Sequence, residues 1–86
     1  MDETLYRADM IVAGRLVPLA RRYGTSAEDV AIGAISALVA CGETGTVFIE
    51  SGKHRASVLV TAGRASAVVD DDAWSRFLIR KAEADE

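Results

Sequence analysis

The sequence predicts an α+β fold: two N-terminal helices, a three-stranded antiparallel meander and a C-terminal helix. Three observations carry that expectation. An apolar stripe recurs at spacings of three and four residues from Leu5 to Tyr23. A capping box, Thr25-Ser26-Ala27-Glu28, opens a long apolar run. From Thr44 onward short β-branched runs alternate with glycine-containing turns.

The first helix is expected over residues 5–23. Leu5, Ala8, Val12, Leu16, Leu19 and Tyr23 would line one of its faces. Pro18 interrupts the stripe, because a proline inside a helix loses one backbone hydrogen bond and clashes with the preceding turn. A kink near Gly14–Pro18 accommodates it, and a new helix with Pro18 in its first turn is the alternative. Gly24 reads as the C-cap.

The second helix is expected over residues 26–41, ending at Gly42. The stretch DVAIGAISALVACG (residues 29–42) is apolar almost all the way round, so something must cover it on several sides. The first helix and the sheet would cover two of them. Gly33, Ala37 and Cys41 share one face at four-residue spacing, and such small side chains let another backbone come close. That face is the expected interface of a homodimer.

Strands are expected at 46–50 (TVFIE), 55–61 (RASVLVT) and 65–69 (ASAVV). The turns between them are Ser51-Gly52-Lys53-His54 and Ala62-Gly63-Arg64. Asp70-Asp71-Asp72 then caps a last helix over about 71–83. Three adjacent carboxylates could also hold a divalent cation, but before a helix they read first as a cap that complements its dipole. Trp74, Phe77 and Leu78 share one face of this helix. That face closes the core over the sheet, and Trp74 and Phe77 are candidate partner contacts.

Eighty-six residues make one domain, spanning 1–86. A chain of that size buries only about 60–65% of the surface its unfolded form exposes, so it gains from a partner. The net charge of −3 argues against a protein whose main work is non-specific nucleic-acid binding. One cysteine, Cys41, allows no internal disulfide and suits a reducing cytoplasm. The opening Met1-Asp2-Glu3-Thr4 lacks the basic-then-apolar pattern of a signal peptide. The apolar run from Val30 to Cys41 is 12 residues, short of the ~20 needed to span a bilayer.

No constellation supports an enzyme, a metal or a cofactor. Cys41 falls at a helix C-terminus, where the dipole disfavours a thiolate, and His54 falls in a turn between Lys53 and Arg55. No second histidine exists to complete a ligand set. Charge is more informative. Residues 51–64 hold Lys53, His54, Arg55 and Arg64 and no acid, so Lys53, His54 and Arg55 form a basic hairpin tip suited to an acidic partner. Arg15, Arg21 and Arg22 make a second basic cluster, with Arg7 upstream.

Three stretches resemble known families. Leu19–Val30 (LARRYGTSAEDV) is similar to the turn of a helix-turn-helix, with Ala20, Gly24 and Val30 at its small, turn and buried positions. Leu16–Ala40, preceded by Thr4–Ala8 (TLYRA), is similar to ribbon-helix-helix regulators, whose second helix is buried in an obligate dimer. Thr46–Val60 followed by DDAWSRFL resembles the hairpin and helix of Phd-type antitoxins. These resemblances imply a small bacterial or phage regulator. The expected function is antitoxin-like: a non-enzymatic cytoplasmic protein that neutralises or modulates a partner protein through Lys53, His54, Arg55, Trp74 and Phe77. The alternatives are a DNA-binding repressor of ribbon-helix-helix or helix-turn-helix type, using Arg7, Arg15, Arg21 and Arg22, and a phage-encoded inhibitor of a host or defence protein.

Overall fold

The N-terminal third of the chain is a β-hairpin. In a computed structural model, which describes residues 4–24, 26–68 and 73–84, β1 (Leu5–Val12) pairs antiparallel with β2 (Arg15–Tyr23). Helix α1 (Ser26–Cys41) follows, then β3 (Gly45–Ser51), β4 (His54–Thr61), β5 (Arg64–Ala67) and helix α2 (Ala73–Ala84). All five strands form one antiparallel sheet in the order β2-β1-β3-β4-β5.

This corrects the expected fold. A β-hairpin stands where the first of the two N-terminal helices was expected, the second is present as α1, and the three-stranded meander is part of a five-stranded sheet. The physical reason lies in β1. Tyr6, Ala8, Met10 and Val12 alternate onto one face, the period of a strand. Leu5 and Ile11 stand on the opposite face and are apolar too, so the alternation is masked and a helical spacing emerges by coincidence. The turn is Ala13-Gly14, both with positive φ (54° and 75°), as a two-residue type I′ turn requires. The same triplet, Ala-Gly-Arg, recurs at 62–64, where Ala62 and Gly63 have φ of 51° and 76° and join β4 to β5.

Pro18 kinks no helix. It lies in β2, an edge strand, where the register shifts between Ala8 and Asp9. A missing N–H is harmless there. Gly24 caps no helix either; it ends the hairpin, its N–H donating to the Thr4 carbonyl at 3.4 Å. Two caps read from the sequence, Thr25 and the run Asp70–Asp72, lie outside the described residues, as does Val69 at the end of the expected third strand.

Both helices lie on the same face of the sheet. The core between them holds Ile35 and Leu38 of α1, Leu78 and Ala82 of α2, and Val47, Ile49, Val58 and Val60 of the central strands. Helix α1 is not covered by a preceding helix. It rests on the sheet with Ala27, Ala31, Ile32, Ile35 and Leu38 buried, and α2 flanks it over β4 and β5. On its other flank, toward β1 and β2, an apolar groove of about 400 Å³ runs past Met10, Leu19, Val30 and Ala34.

Two polar contacts fix α2. The Ser75 hydroxyl, fully buried, accepts from the Ser57 N–H (3.0 Å) and donates to the Ser57 carbonyl (3.2 Å), so a side chain from α2 satisfies the backbone of β4. The Trp74 indole N–H donates to Glu28 at 2.8 Å, and its ring meets Tyr6 edge-on at 6.2 Å. Trp74 thereby ties the start of α2 to the first turn of α1 and to β1.

Candidate protein-binding face of the sheet

Neither helix touches the second face of the sheet. Opposed residues in an antiparallel ladder share a face, so the register assigns that surface in rows running across β2, β1, β3 and β4. One row is Arg21–Arg7–Glu50–Arg55. The next is Pro18–Asp9–Phe48–Ser57, and the third is Leu16–Ile11–Thr46–Leu59. Tyr23 and Leu5 oppose one another beyond the charged row. Val68, whose N–H donates to the Ser57 carbonyl, continues the second row outward.

Among the described residues seven large apolar side chains are exposed, and six of them stand on this face: Leu5, Ile11, Leu16, Tyr23, Leu59 and Val68. Leu16 and Tyr23 are the most open, at 63% and 65%. Single exposed apolar residues are ordinary, but six on one uncovered face, in two groups either side of the charged row, mark a candidate interaction surface.

The charges on the face are ordered. Glu50 sits between two arginines, its carboxylate 3.4 Å from Arg7 and 3.7 Å from Arg55. Arg21 is engaged within the chain. It bonds Asp9 at 2.7 Å and donates to the carbonyls of Ala8 (3.2 Å) and Ala20 (2.8 Å), strapping the irregular step in the β1–β2 ladder. Arg7, Arg21, Arg55 and Arg64 outnumber Asp9 and Glu50, so this face is positive in a chain of net charge −3. A shallow depression of about 340 Å³ lies between Arg7, Phe48, Glu50 and Arg55.

The residues singled out from sequence are distributed unevenly. Lys53 and His54 lie exposed at the β3–β4 turn, as the basic tip requires, and Arg55 begins the charged row. Trp74 is half-buried and engaged within the chain, whereas Phe77 is exposed with the Lys81 ammonium 5.8 Å from its ring centroid. Gly33, Ala37 and Cys41 are all exposed on α1, on the helical side of the molecule. The arginines of the expected DNA contact do not share a helix. Arg7 and Arg21 oppose each other on the open sheet face, and Arg15 and Arg22 fall on the other face of β2. Cys41 and His54 lie at opposite ends of β3, which at about 3.3 Å per residue is some 20 Å long, too far apart to act together. No cluster of three or more His, Cys, Asp or Glu suited to a metal occurs among the described residues.

Sequence reasoning missed Leu5, Ile11, Leu16 and Phe48 as surface residues. Leu5 and Leu16 belong to the stripe expected to be the buried face of a helix. The signal that could have found them is the repeated Ala-Gly-Arg triplet, which marks Ala13–Arg15 as a turn once Ala62–Arg64 is read as one.

No described helix is long and apolar enough to cross a membrane. Compared with family models, with curated proteins and with solved structures, the chain matches none.

Proposed function

We propose that this chain is a non-enzymatic protein-binding module of the small-regulator kind, and that it binds protein through the uncovered face of its sheet. One observation carries the reading: six exposed apolar side chains share the single sheet face that neither helix covers. Protein is favoured over nucleic acid as the occupant. Nucleic-acid affinity comes largely from free cations on phosphates. Here Arg21 is held by Asp9 and two backbone carbonyls, Arg7 and Arg55 share Glu50, and Arg15 and Arg22 fall on the other face. Leu16, Ile11 and Leu59 offer nothing to a phosphate backbone but fit an apolar protein surface.

A photo-crosslinking side chain in place of Phe48 tests this in lysate from the cells of origin, with Asp29 on α1 as the control position. The expected result is a protein adduct at position 48, resistant to nuclease, absent at position 29 and lost when Leu16→Glu is added. An adduct that disappears with nuclease, or none at position 48, overturns the reading.

A further inference from the structure

Resting on that protein-binding reading, we infer that the occupant of the open face is a second copy of this chain, packed sheet on sheet about a twofold axis that runs along the strands between β1 and β3. The rows decide this. A twofold parallel to the strands keeps each row in place and reverses its order, so β1 lies over β3 of the other copy and β2 over β4. Arg7 then meets Glu50 of the second copy, and Glu50 meets its Arg7. Leu16 meets Leu59, Ile11 meets Thr46, and Phe48 meets Asp9, whose carboxylate is already held by Arg21. Arg21 and Arg55 oppose one another only at the rim, where Arg55, 81% exposed, stays in water.

The other way of stacking the faces fails on charge. A twofold perpendicular to the strands exchanges the first and third rows. It would bury Arg7 on Ile11, Arg21 on Leu16 and Arg55 on Leu59, and set Asp9 against its own copy. That stacking gives neither Arg7 nor Glu50 an opposite charge across the interface, whereas the first stacking gives the pair two cross-interface attractions near its centre. Aligned sheets cross at about −30°, so the match is closest near the axis, where the two Arg7–Glu50 pairs lie.

The size also fits. Four strands about 4.8 Å apart and eight residues at about 3.4 Å give a flat footprint of roughly 500 Å². Side-chain relief raises that toward the ~800 Å² per partner of a stable pair. Burying the face also supplies a small chain with a second apolar layer.

Sedimentation of the purified full chain under reducing conditions, so that exposed Cys41 cannot crosslink copies, is the test. From about 1 to about 100 µM the wild type is expected to sediment as a dimer. Arg7→Glu sets Glu against Glu twice, and Glu50→Arg sets Arg against Arg twice. Each variant alone is expected to lose at least tenfold in self-association. Mixed, the two variants restore both attractions, so a heterodimer forms where neither homodimer does. No contact within one chain can produce that rescue. Circular dichroism confirms that each variant is folded, and Ala37→Glu on α1 is expected to leave association unchanged. Three outcomes overturn the inference: a monomeric wild type, a dimer indifferent to both charge reversals, or a dimer broken by Ala37→Glu. If the wild type is monomeric but position 48 still captures a different protein in lysate, the second copy is excluded and the protein-binding reading stands. If position 48 captures nothing, both fall.

Discussion

The two faces of this sheet are built from the same strands and obey different rules. On the helical face Val47, Ile49, Val58 and Val60 are at most 2% exposed and meet Ile35, Leu38 and Leu78. On the other face their immediate neighbours Thr46, Phe48, Ser57 and Leu59 mix apolar and hydroxyl groups, and Glu50 and Arg55 add a charged row. The first face is pure burial, which stabilises the fold without regard to sequence order. The second is patterned, with charge in one row and aliphatic carbon two rows away. A patterned surface is what discrimination between partners requires, because mismatched rows are penalised.

The contrast can be broken most sharply by one side chain placed on either face. Ile49→Ala, on the helical side, is expected to cost about 2–5 kcal/mol in urea denaturation. Ile11→Ala, on the open side, is expected to cost under about 1 kcal/mol at dilutions where copies do not meet. Equal losses would mean the open face is buried even in the isolated chain. Next in size is Ser75→Ala. It leaves the Ser57 N–H without its partner behind α2 and is expected to cost about 1–3 kcal/mol, read by thermal melting. Trp74→Phe keeps most of the ring against Tyr6 and removes the N–H bond to Glu28. A loss of about 1–2 kcal/mol is expected, and Glu28→Gln in the wild-type background should cost less, because it leaves the indole N–H an acceptor. Smallest, and opposite in sign, is Ala13→Asn. Ala13 holds a positive φ that asparagine tolerates better, so the hairpin should gain up to about 1 kcal/mol, with open-face association unchanged.

The helical face was the more legible in the sequence. The capping box and apolar run located α1, and the β-branched runs located β3 and β4 to within a residue or so. Those signals report burial, and burial is what periodicity measures. The N-terminal hairpin was hidden because its outer face is also apolar. Leu5, Ile11 and Leu16 fill the positions that polar residues occupy in an ordinary half-buried strand. The feature that made the hairpin unreadable is thus the feature that makes the face a candidate site. The charged row was unreadable for another reason. Arg21, Arg7, Glu50 and Arg55 come from four strands and meet only through register, which no local pattern encodes. The basic tip at Lys53–Arg55 was found because it is contiguous in the chain.

The strand order carries a consequence for how the molecule assembles. Every ladder but one joins strands that are consecutive in the chain and linked by a two-residue turn; the exception is β1 with β3. Its closest pair, Val12 with Gly45, brackets the second hairpin strand and the whole of α1. Loop-closure entropy therefore weighs on this one seam, while the two flanking hairpin systems form on short-range contacts. The search for the native state reduces to zipping β1 against β3. Because the Arg7–Glu50 bridge spans that seam, its geometry is complete only after the zipping is done.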